Sequence, residues 1–116
     1  MKFVVLMAET DHYQRWAELS DDERAAAFAA FEKFDAAVAE RGEVLGGEGL
    51  ADPRESRTLA PGRRDDRPVT DGPYAETAEQ LGGFYLVDLP DMETAVETAR
   101  LLPEAFLIEV RPVVSG

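Results

Sequence analysis

The order of elements legible in this chain predicts an α+β fold, a ferredoxin-like sandwich in which an antiparallel sheet carries two helices on one face. Three observations predict it. Short β-rich runs at 3–8 and 84–89 are apolar on both alternating faces, as buried strands are. Each run is followed by a capped helical pattern and then by a further strand. Between the two β-α-β units lies a hairpin pattern, and right-handed crossovers then give the sandwich. At 116 residues the chain fits one domain, 1–116, and leaves no room for two.

Phe3-Val4-Val5-Leu6-Met7-Ala8 is the first strand. It starts as a secretion signal does, but the apolar run stops at Glu9. A signal needs about 7–15 apolar residues and a small-residue cleavage site, and a membrane span needs about 20. The expectation is therefore a cytoplasmic chain with no membrane partner. Glu9 to Leu19 reads as irregular, with a helical turn around Tyr13 to Ala17, and Tyr13 and Trp16 cap either the core, the reading preferred, or a pocket mouth. Ser20-Asp21-Asp22-Glu23 is a capping box, in which the serine hydroxyl takes an amide three residues on and Glu23 reaches back. Ala27, Ala30, Phe31, Phe34 and Val38 then share one helical face, and Arg41-Gly42 ends the helix.

Val44 to Leu50 is a second strand carrying Gly46, Gly47 and Gly49. Glycines there mark a bulge or the close approach of another group. Arg57-Thr58-Leu59 pairs with Pro68-Val69-Thr70 across Pro61-Gly62 and a charged tip. That tip holds Arg63, Arg64 and Arg67 against Asp65 and Asp66, and reads as solvated. Phe84 to Leu89 follows Gly82-Gly83 as a strand. Pro90-Asp91 opens a helix with Met92, Ala95, Val96 and Ala99 on one face, which Pro103 ends. Phe106 to Val114 is the last strand, with Phe106, Ile108 and Val110 on one side and Glu109 and Arg111 on the other. Two helices cover one sheet face only. Val4, Leu6, Phe84 and Leu86 alternate against Phe3, Val5, Tyr85 and Val87, so whichever set faces away from the helices is a large apolar patch. A second copy of the chain is the simplest cover, a homodimer with sheets face to face, and the other is the C-terminal tail with the loop near 51–67.

Lys and Arg number 12 against 24 Asp and Glu, a net charge of −12. Binding to a phosphate backbone needs the opposite sign, so direct nucleic-acid contact is not expected. The absence of cysteine removes disulfides, thiolate chemistry and cysteine-ligated metals together.

The most distinctive stretch is Val69-Thr70-Asp71-Gly72-Pro73-Tyr74-Ala75-Glu76-Thr77, continuing to Leu81-Gly82-Gly83-Phe84-Tyr85. It resembles the signature of the DGPF branch of the YCII-related family. Val44 to Leu50 and Ile108-Glu109-Val110-Arg111-Pro112-Val113 resemble that family's flanking blocks. Tyr74 stands where the motif has Phe, and Ala78 where many relatives carry Lys. The resemblance implies a dimeric α+β barrel. For activity it implies either a catalytic pocket or a link to sigma-factor regulation.

Asp71-Gly72-Pro73 makes a turn on its own chemistry, with Asp accepting local amides, Gly relaxing the backbone and Pro stiffening it. As a site, Asp71 and Glu76 form a carboxylate pair that leaves one acid and one base. His12, the single histidine, would draw a partner from Asp71, Glu76 or Glu48, because Asp11 points away from it in an extended chain. Gly46-Gly47-Glu48-Gly49 fails as a phosphate loop, since no helix and no Lys-Ser or Lys-Thr follows. Glu48 joins Tyr74 and Arg111 as a ligand-binding candidate. One histidine with carboxylates would suit a hard cation, but no ligand spacing supports it, and neither metal nor cofactor is expected. One reading of function is an enzyme acting on a small molecule through carboxylate and imidazole acid–base chemistry, with Asp71 moving the proton and His12 or Glu76 beside it. The second is a ligand-binding or regulatory dimer without catalysis. The third is a pure interaction protein, a partner of transcription machinery, with an exposed patch and no pocket.

Overall fold

The computed structural model of the protein describes residues 1–74 and 78–114. In chain order the elements are β1 (Lys2–Thr10), α1 (His12–Glu18), α2 (Asp21–Arg41), β2 (Glu43–Gly49), β3 (Arg57–Leu59), β4 (Val69–Asp71), β5 (Glu79–Asp88), α3 (Met92–Ala99) and β6 (Leu107–Pro112). The four-stranded sheet runs β2-β5-β1-β6, with every neighbouring pair antiparallel, which is the ferredoxin-like order. β3 and β4 form a separate hairpin.

Period-two alternation divides β1. Phe3, Val5, Met7 and Glu9 turn to the helices and are buried, while Val4, Leu6 and Ala8 turn to the other face. α2 starts where its capping box requires: the Glu23 amide donates to Ser20 Oγ at 3.1 Å, and the Ser20 amide to Glu23 Oε1 at 3.0 Å. Phe34 and Val38 are buried against Phe3, Val5 and Val87. α3 differs from the spacing expected of it. Thr94, Ala95, Thr98 and Ala99 are its buried residues, and Met92 and Val96 are each 37% exposed. The Thr98 hydroxyl is satisfied by the carbonyls of Thr94 and Ala95 at 3.0 Å each, so the side chain can be buried as a small apolar group.

The caps that open α2 and α3 also set acid stability. The hydrogen bond from the Ser20 amide, then that with its side chain, holds the Glu23 carboxyl below its usual range, and the Thr94 amide does the same for Asp91. A depressed carboxyl contributes stability that is present above its unfolded value and is lost as pH falls through the folded one. The ordinary values are 4.5 and 3.8, so melting temperature is expected to hold above them and fall below. Asp91→Asn, which keeps a capping oxygen but does not titrate, should flatten that fall. Ser20→Ala should cost about 1 kcal/mol at neutral pH. Thermal melts of the variants between pH 3 and 7 check both.

On the helix-free face Val4 lies opposite Leu86 and Leu6 opposite Phe84, so these apolar side chains form one half-buried patch. β6 borders it with Glu109 opposite Leu6 and Arg111 opposite Val4, and the two are ion-paired. The radius of gyration is 16.2 Å, above the roughly 13 Å of a compact chain this long. Among the described residues no helix is long and apolar enough to cross a membrane.

Candidate functional site

The irregular stretch expected after the first strand is a helix, α1, and it builds the site. Asp11 turns the chain out of β1 in the left-handed region, at φ 51° and ψ 36°, which is unusual for a non-glycine residue. That turn swings His12 back over the end of the strand it has just left. A helix of seven residues is marginal alone, and this one is pinned from outside. The Tyr13 hydroxyl donates to the carbonyls of Leu50 and Ala51, the latter at 2.7 Å. At the other end Arg24 of α2 donates from Nη2 to the carbonyls of Trp16 and Ala17, at 3.0 and 3.3 Å. Burial first, then the charges of Asp52 and Glu55, raise Tyr13's pKa and keep its proton in place.

His12 Nδ1 lies 2.6 Å from Glu9 Oε2, and Arg15 holds Oε1 of the same carboxylate. The Glu9 side chain is 8% exposed and that of His12 15%. With a carboxylate as acceptor, Nδ1 carries the proton and Nε2 is the basic nitrogen. Room for the ring comes from Gly82. Met7 pairs with Gly83 and Ala8 with Leu81, which makes Gly82 the extra residue of a β-bulge. A Cβ there would meet His12 Cδ2 at 3.1 Å and Nε2 at 3.3 Å. Gly82→Ala is therefore expected to tilt the imidazole off Glu9, seen as a shift of the His12 ring resonances while the sheet resonances of β1 and β6 stay in place.

The dyad stands in the wall of a hollow of about 550 Å³ at the end of the sheet, within the range of small-molecule sites. Its other walls are aromatic side chains, among them Tyr13, Trp16, Phe28, Phe31, Phe106 and Tyr85, together with glycines of β2 and β5. Tyr13 and Trp16 are half-buried and face this space, so of their two expected places the structure favours the pocket over the core. Tyr85 has its pKa pushed up to about 12, by burial first and then by Asp35.

Glu9 is the partner that sequence reasoning missed. The signal was present: Glu9 continues the series Phe3, Val5, Met7 onto the buried face, three residues before His12. The residues singled out earlier are distributed as follows. Asp71 is the last residue of β4, not part of a turn. It lies opposite Arg57 and is ion-paired with it at 3.0 Å, with its side chain 86% exposed. The turn comes one residue later, at Gly72 with φ 97°. Asp71 and His12 border one outer cleft, so they share an opening without touching. Glu48 is exposed, and its register opposite Phe84 places it on the helix-free face although it also borders the hollow. Tyr74 is 92% exposed, and Arg111 lies on the helix-free face with Glu109. Glu76 lies outside the described residues. Among the described residues no cluster of histidine and carboxylates is arranged to hold a metal ion.

By topology the chain is an α+β sandwich protein of ferredoxin-like order. Within that class it belongs to the YCII-related domain family, whose model matches residues 1–115. The match is to the family as a whole. A stretch of 49 residues is 49% identical to an uncharacterised protein of Rhizobium meliloti (strain 1021), covering 39% of this chain and 40% of that protein.

Proposed function

We propose that the chain is a small-molecule enzyme that abstracts and returns a proton through His12, with Glu9 as its positioning residue. The 2.6 Å contact between Glu9 and His12 inside an aromatic hollow carries this reading. Nε2 takes a proton from an O–H or activated C–H of the substrate, and the imidazolium so formed is stabilised by the Glu9 carboxylate. Returning that proton to another atom completes an isomerisation or elimination without a cofactor. Arg15 compensates the charge that an otherwise lone buried carboxylate would carry at high cost. Asp71 stands at the outer cleft as a charge at the mouth. A metabolite screen for turnover by the wild-type chain, repeated with His12→Asn, tests the proposal. Saturable binding with no turnover would replace it with the non-catalytic ligand-binding or regulatory module.

The working unit in this reading is a homodimer in the cytoplasm, closed over Val4, Leu6, Phe84 and Leu86, with Glu48, Tyr74 and Arg111 near that face. The apolar character of the patch supports it. Sedimentation equilibrium at micromolar concentration should give twice the 12.8 kDa chain mass, and Leu6→Asp should give a folded monomer.

A further inference from the structure

The hollow also carries information about what it receives, because its polar side chains can be followed one by one. Both Glu9 oxygens are engaged, by His12 and by Arg15. The Tyr13 hydroxyl is spent on the carbonyls of Leu50 and Ala51. The Tyr85 hydroxyl is held by Asp35, and Glu48, exposed and paired by register with Phe84, borders the hollow only at its rim. His12 differs: among the described residues its Nδ1 has a partner and its Nε2 has none. Around it the walls are rings. Tyr13 lies edge-on to the imidazole at 4.9 Å and Phe106 at 5.7 Å, while Trp16 meets Phe28 edge-on at 5.7 Å. Rings at such spacings gain more from a further aromatic ring than from a saturated body of equal size, because face and edge carry opposite partial charge.

Resting on the proton-transfer reading, we infer that the substrate class is a flat aromatic or conjugated ring bearing one hydroxyl, a phenol or enol. The ring occupies the space among Trp16, Phe28 and Phe106, and the hydroxyl meets His12 Nε2. Away from the glycine strand edges and Glu48 at the rim, a ligand with several polar groups would set them against ring carbon, at a cost for each group left without a hydrogen bond. A ligand with none would leave Nε2 unpaired and dry.

The chain has one tryptophan and one histidine, so in nuclear magnetic resonance the indole N–H signal belongs to Trp16 and the imidazole signals to His12 without ambiguity. The wild-type chain labelled with ¹⁵N is titrated with 4-methylphenol, with 4-methylcyclohexanol of the same outline but no ring current or π-face, and with toluene, which lacks the hydroxyl. Both signals should shift saturably with 4-methylphenol, at an affinity at least about tenfold above either comparator. In His12→Ala the advantage over toluene should vanish while the advantage over 4-methylcyclohexanol stays. Equal binding of the saturated alcohol, or an unmoved indole signal at saturation, overturns the inference, as does shifting confined to the helix-free face. These readouts need no turnover. Ring and hydroxyl selectivity can therefore fail while His12 still catalyses, and can hold where His12→Asn shows that it does not.

Discussion

His12→Asn is expected to lower turnover of a cognate substrate by about 10²–10⁴-fold, the usual span for losing a general acid–base group. Asparagine preserves a hydrogen-bonding side chain of similar reach, so α1 and its pins to Leu50, Ala51 and Arg24 should stay in place. The loss should fall on kcat, with KM changing little, because the proton moves only in the transition state. Glu9→Gln should show the same pattern for a different reason. A glutamine amide can donate to Nδ1, which fixes the tautomer with its proton on Nε2, where the base is needed. The fall in kcat with KM little changed, and the fold retained by circular dichroism, separates the two variants from a merely structural defect. Asp71→Asn is the control that decides between carboxylates. On the present geometry it touches Arg57 rather than His12, and its loss should be smaller and appear in KM. A hundredfold fall in kcat for Asp71→Asn, with Glu9→Gln unaffected, would transfer the proton to the hairpin.

Phe34→Ala should destabilise the fold by about 3–5 kcal/mol, the range for deleting a buried aromatic side chain. Phe34 is fully buried and its ring lies 4.7 Å from that of Tyr85, where α2 meets the centre of the sheet. The cavity cannot be filled by neighbours that belong to three different elements. A chain of this length should lose roughly 10–20 °C of melting temperature, read by circular dichroism. Phe28→Ala, on the same helix but 56% exposed, should cost about 1 kcal/mol or less while weakening ligand binding. A matching loss for both would mean that the wall of the hollow is part of the core.

What could be read from the chain were the features whose cause is local. The capping box names its own helix start, alternation assigns Phe3, Val5 and Met7 to one face, and the spacing of Phe34 and Val38 names the face of α2 that is buried. The pairing of Arg57-Thr58-Leu59 with Val69 and Thr70 follows from turn residues between two short β-rich runs. α1 was less legible because its seven residues carry no cap and gain their stability from Tyr13 and Arg24 reaching other elements. α3 misled because threonine is scored polar, and only the helix's own carbonyls make Thr98 fit to be buried.

The sequence by itself determined the fold class, the strand faces and the presence of one histidine beside the first strand. Tertiary structure alone decided what that histidine does. The left-handed turn at Asp11 and the bulge at Gly82 bring His12 back onto Glu9, three residues earlier and on the buried face. Hydrophobic and capping patterns are set by neighbours in the chain, whereas a hydrogen bond between two side chains depends on angles that accumulate through every residue of the turn between them.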